Sequence, residues 1–138
     1  MTLELKELAL GVLLAVVMLG VFRFARMHRQ RGSYAVLLMS VVFPYVMFAV
    51  ETHEPDLIGH SLVATFFCLL AIFGARWNLW IVVFGFLAHA LFGGTLHYTS
   101  LLAPTPGWYG PLCVGFNVAV ALGLAGFLSQ DHKLRDMT

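Results

Sequence analysis

Apolar residues along the chain gather into five long runs, and the polar residues fall almost wholly in the gaps between them. The runs cover residues 8–24, 34–50, 57–75, 79–96 and 110–128. A helix that crosses a membrane needs roughly 20 mostly apolar residues at about 1.5 Å rise each. The pattern therefore predicts an all-α integral membrane bundle of five transmembrane helices, forming one domain over residues 1–138. The first two runs are short and rely on polar ends that snorkel to the interface. No gap is long enough to fold as a separate domain, so any site lies in the bilayer or at its surface. The chain has no internal repeat. Five spans also do not divide into two equal halves, which weighs against an inverted-repeat transporter.

Punctuation between the runs agrees with these bounds. The stretch Ala103-Pro104-Thr105-Pro106-Gly107 is broken by Pro and Gly and cannot be helical. Pro55 and Asp56 read as a helix start with Asp56 as N-cap. Pro44 falls inside the second run and is expected to kink it. Trp77 and Trp80 flank the start of the fourth run, and Trp108 and Tyr109 the start of the fifth, at the depths aromatic rings prefer.

Composition sharpens the class. The 138 residues are 60% hydrophobic and 11% charged, against about 45–50% and about 25% in soluble domains. That excludes an ordinary soluble enzyme and a disordered region. A net charge of +1 leaves no basis for a nucleic-acid partner. The few charges set orientation instead. Arg23, Arg26, Arg29 and Arg31 lie between the first two runs, and positive loops stay in the cytoplasm. Glu51, His53, Glu54 and Asp56 then fall outside. Arg76, Lys133 and Arg135 fall inside. The expected location is the cell membrane, multi-pass, with the N-terminus outside and the C-terminus cytoplasmic. The first run is not a cleaved signal peptide: Glu4 and Glu7 precede it and its arginines follow it.

Small residues recur at four-residue spacing. The fourth run carries Gly85, His89, Gly93 and His97; the fifth carries Gly115, Ala119 and Gly123. Such ladders let helix backbones approach closely. Two histidines on one ladder therefore face a neighbouring helix or an interior space.

Polar residues inside a membrane are costly and tend to mark function. Glu51, His60, His89, His97 and Asn117 all fall in the outer half of their runs. His89 and His97 are separated by roughly 12 Å of helix rise. Imidazole and carboxylate suit a transition metal, so His60, His89, His97 and Glu51 are the metal candidates, with Asn117 lining the site. His53 and Glu54 are further candidates, though a solvated turn accounts for them as well. A b-type haem held by His60 and His97, or by His60 and His89, is the second cofactor reading. The alternative for His89 is a neutral imidazole bonded to Asn117 or to a backbone carbonyl across a helix interface. Cys68 and Cys113 differ in depth by roughly 10 Å, beyond disulfide reach.

A further set of residues carries a resemblance. The set comprises residues 43–48, Arg76-Trp77-Asn78-Leu79-Trp80, Ala88-His89-Ala90-Leu91-Phe92 with His97, and Trp108-Tyr109-Gly110-Pro111-Leu112-Cys113 with Phe116-Asn117. Over roughly residues 30–128 the chain resembles a family of small, uncharacterised bacterial inner-membrane proteins, a domain of unknown function. The family pattern places acidic residues where this chain has His60, Gly93 and Asn117. The resemblance implies no activity.

Two functions follow as expectations. One is a His-lined cavity in the non-cytoplasmic half that binds a metal or small polar ligand. The other is a non-catalytic accessory subunit of a larger membrane complex. The expected partners are the lipid bilayer and either further copies of the chain or other membrane subunits.

Overall fold

The computed structural model of the chain describes residues 3–99 and 105–136. It is an all-α bundle of five helices: α1 (Leu3–Phe24), α2 (Arg31–Glu51), α3 (Leu57–Arg76), α4 (Leu79–Thr99) and α5 (Tyr109–Asp136). Four of them, α1, α2, α3 and α5, contain segments long and apolar enough to cross a membrane. This is a multi-pass membrane protein. The apolar stretch described for α4, Leu79–Thr95, is shorter than these four.

Local chemistry explains the helix ends. Arg26 adopts a left-handed conformation (φ 58°) after α1; a non-glycine residue there is uncommon and breaks the helical ladder. His53, also left-handed (φ 55°), follows the end of α2, and Pro55 disfavours helical backbone at Glu54 before it. Asp56 caps α3 as expected, its carboxylate accepting from the Gly59 amide at 3.1 Å. Asn78 does the same for α4: its side-chain oxygen accepts from the Trp80 amide at 3.0 Å. Pro44 sits within α2 and does not end it. Helix α5 runs past the expected end at residue 128 to Asp136. No Gly or Pro follows Leu128 to stop it, and the polar residues after it are good enough helix formers to continue into water. Ala103 and Pro104 of the expected loop lie outside the described residues.

The helices do not pack in chain order. Helix α1 packs on α5, α5 on α4, α4 on α3, and α3 on α2, with α2 also touching α4. Glycines explain why α1 docks on the last helix rather than the next. A Cβ on Gly11 would meet the Phe116 amide nitrogen at 2.9 Å and the Leu112 carbonyl carbon at 3.0 Å. Reciprocally, a Cβ on Gly115 would fall on the Leu8 backbone, and one on Gly123 would reach Leu19 at 2.5 Å. Both backbones can approach only because these side chains are absent. The ladder on α5 is thus a packing seam, as its spacing implied, and its partner is α1. On α4, Gly85 receives Leu38 of α2, and Gly93 receives Cys113 of α5 with a Cβ–Sγ gap of 3.5 Å. The core between these surfaces is apolar and includes Ala15, Leu38, Val82, Phe86, Val120 and Leu124.

Candidate functional site

Among the described residues the buried polar side chains are Ser33, at the start of α2, and His60, His89 and Asn117; the last three are the sequence-predicted candidates. His60, His89 and Asn117 belong to two separate clusters. In the first, His60 on α3 hydrogen-bonds through Nδ1 to the Tyr45 hydroxyl on α2. Their rings meet edge to face at 5.2 Å. In the second, His89 on α4 places Nδ1 3.4 Å from Sγ of Cys113 on α5. Asn117, one turn beyond Cys113, donates from Nδ2 to the Cys113 carbonyl at 2.7 Å and to its sulfur at 3.1 Å. The His89 ring lies beside Asn117, yet Asn117 Oδ1 has no partner in hydrogen-bond geometry.

Aromatic rings separate the two clusters. Phe92 stands edge to face with Tyr45 at 5.1 Å, and Phe67 stands edge to face with His89 at 5.0 Å. Phe67 and Phe92 touch each other, with ring centroids 5.9 Å apart. An apolar wall therefore divides His60 from His89. The wall arises because Phe67 on α3 and Phe92 on α4 occupy the same α3–α4 interface that the histidines flank.

The remaining candidates lie elsewhere. His97, in the last turn of α4, sits beyond the apolar stretch of that helix and approaches the carboxylate of Glu4 on α1 at 3.3 Å. Its ring packs over Gly110, where a Cβ would meet the His97 Cβ at 2.6 Å. A recess of about 180 Å³ is lined by Glu4, Leu5, Leu8, Gly94, His97, Gly110 and Pro111. Of the proposed lining residues only His97 borders it. Glu51 ends α2 with an exposed side chain. Its carbonyl accepts from His53 at 3.1 Å in a surface turn.

These positions overturn the metal and cofactor expectations. Among the described residues no group of three or more His, Cys, Asp or Glu side chains is placed to hold a metal ion. His89, His97, His60 and Glu51 do not form one shell, and Asn117 does not line a cavity shared by them. The transition-metal reading fails for that reason, and so does the His-lined cavity. The haem reading has the same difficulty: His60 is engaged by Tyr45, His97 by Glu4, and His89 by Cys113 across the phenylalanine wall. His89 does bond across a helix interface, but to the Cys113 sulfur rather than to Asn117 or a backbone carbonyl.

Sequence reasoning missed Tyr45, Cys113 and Glu4. Tyr45 carried a signal: it lies six residues before Glu51, and His60 lies four after Asp56, so both sit one to two turns from the same end of adjacent helices. The partners of Cys113 and His97 depend on the packing order of the helices, which the sequence pattern does not reveal. Both cysteines are free, as their depths implied.

No family model, no curated protein and no solved structure matches the chain. The resemblance to a bacterial inner-membrane family is therefore withdrawn. Its residues have local reasons of their own. Asn78 caps α4, Gly93 makes room for Cys113, and Trp108 packs edge to face on Phe48 at 6.3 Å. Residues of these kinds recur wherever apolar helices pack at a membrane interface.

Proposed function

We propose that the chain is a five-span integral membrane protein whose intramembrane polar residues hold the bundle in one packing, and that it works in lateral assemblies with copies of itself or with other membrane subunits. The observation that carries the structural role is the fate of the buried polar side chains. His60 bonds Tyr45 across the α2–α3 interface and His89 bonds Cys113 across the α4–α5 interface, while Asn117 bonds the same Cys113 from within α5. A polar bond inside a bilayer has no water to compete with it and selects the helix pairing that completes it.

The five-span reading draws support from α4. It is 21 residues long, contains no Asp, Glu, Lys or Arg and is flanked by α3 and α5. The length corresponds to about 31 Å of helix, enough for a hydrocarbon core of ~30 Å. Residues 1–138 then form one transmembrane domain. The arginines between α1 and α2 support an N-terminus outside and a C-terminus in the cytoplasm.

Light scattering of the full-length protein in mild detergent, paired with cross-linking in intact membranes, tests the assembly. The expected result is a discrete complex heavier than the 15.3 kDa chain in both. A monomer by both measurements overturns lateral assembly and leaves the packing role of the polar residues to be judged by stability.

A further inference from the structure

The short turn after α1 brings the start of α2 back beside the end of α1, but the two helices do not pack along their lengths because α1 is drawn to α5. The result is a groove of about 570 Å³. Its floor includes Phe22, Ser33 and Leu37, all buried, and its walls include Met18, Met27 and Val36. Along α2 the lining runs from Gln30 to Ser40, about 15 Å of helix rise. That is half of a hydrocarbon core of ~30 Å, the depth of one leaflet.

One end of the groove is strongly basic. Arg26, Arg29 and Arg31 are exposed and directly adjoin the lining residues Met27, Gln30 and Gly32 in sequence, with Arg23 beside Phe22. Arg31 donates to the Trp77 carbonyl at 2.9 Å, which ties one guanidinium across to the end of α3. Arg26 and Arg29 form no ion pair among the described residues. No acidic residue occurs in the sequence between Glu7 and Glu51, so the turn has no counter-charge of its own.

We propose that this groove is a binding site for an anionic phospholipid, one acyl chain lying between α1 and α2 and the phosphate held by Arg26 and Arg29. An apolar slot one leaflet deep with cations at its headgroup end has the shape and charge of such a lipid. A second copy of the chain in the same orientation would bring its own arginines to the same depth, and like charges at one level oppose that pairing.

Native mass spectrometry of the full-length protein in detergent, with phosphatidylglycerol and phosphatidylcholine of equal chain length added together, tests the site. The wild type is expected to retain phosphatidylglycerol about tenfold over phosphatidylcholine. Arg26→Gln with Arg29→Gln is expected to lower phosphatidylglycerol retention roughly 10- to 30-fold, from the attraction of two basic residues to an anionic headgroup. Val36→Phe, at an exposed groove position, is expected to lower it with both arginines intact. Ser40→Leu serves the same end if Val36→Phe does not fold. Equal retention of the two lipids by the wild type overturns the proposal. So does a phosphatidylglycerol preference that survives both the charge variant and the filled groove. Efficient disulfide cross-linking of Ser40→Cys between chains would assign the groove to a second copy and overturn it as well.

Discussion

Removing the hydroxyl of Tyr45 isolates one bond of the polar interior. Tyr45→Phe keeps the ring, and with it the edge contacts to His60 and Phe92 at 5.2 and 5.1 Å. It leaves a ring nitrogen of His60 without its partner. Hydrogen bonds between membrane helices average about 0.6 kcal/mol and reach about 1.7 kcal/mol. The upper part of that range applies, because Tyr45 and His60 are 2% and 3% exposed and neither can turn to water in place of the other. Tyr45→Phe should therefore cost about 1.5 kcal/mol, roughly a tenfold shift in the folding equilibrium. His60→Leu should cost at least as much. The double variant should cost about 1 kcal/mol or more less than the sum, since the second change removes a group the first had already orphaned. The assay is reversible unfolding in mixed micelles, read by helical circular dichroism and analysed as a double-mutant cycle. A coupling below about 0.3 kcal/mol, within the error of simple additivity, would refute the claim that this pair holds α2 against α3.

Three other outcomes follow from the structure. Gly115→Leu places a side chain on the Leu8 backbone; it should destabilise the protein by about 2–3 kcal/mol and release α1, seen as new protease cleavage or lost cross-links between α1 and α5. Unchanged α1 contacts in that variant would contradict the glycine seam. Cysteines introduced at Arg26 and at His53, in a background lacking Cys68 and Cys113, should react with an impermeant maleimide from opposite faces of the membrane, and labelling from one face would overturn the span count between them. Chelation should leave the melting temperature of the purified protein unchanged, and added zinc should not raise it. A rise lost in His60→Leu or His89→Leu would reinstate a metal site.

The helices were legible in the sequence because length and apolarity alone define a membrane-crossing segment, and the Asp56 cap and the small-residue ladders followed from local chemistry. The end of α5 was not, because the close of an apolar run marks where a helix leaves the bilayer and not where it stops, and residues 129–136 hold no Gly or Pro. The site was less legible for a different reason. Depth along a helix can be counted from sequence, and it places His60, His89, His97, Glu51 and Asn117 toward the same half of their runs. Neighbourhood across helices depends on which glycine face meets which partner. Once α1 takes α5, Glu4 comes to His97. Once Phe67 and Phe92 meet, His60 and His89 are divided. The ladder on α5 showed that a helix approaches closely; it did not say which helix.

The docking of α1 on α5 also bears on how the protein is made. Of these five helices, α1 leaves the ribosome first and its main neighbour, α5, leaves last. About 85 residues separate the end of α1 from the start of α5, and at synthesis rates of roughly 5–20 residues per second they take on the order of ten seconds to appear. During that interval Gly11 and the face around it have no cognate surface. Nascent α1 must therefore persist as a solitary span, held by its own apolarity, while α2, α3 and α4 assemble beside it. The five-helix bundle can close only once α5 has emerged.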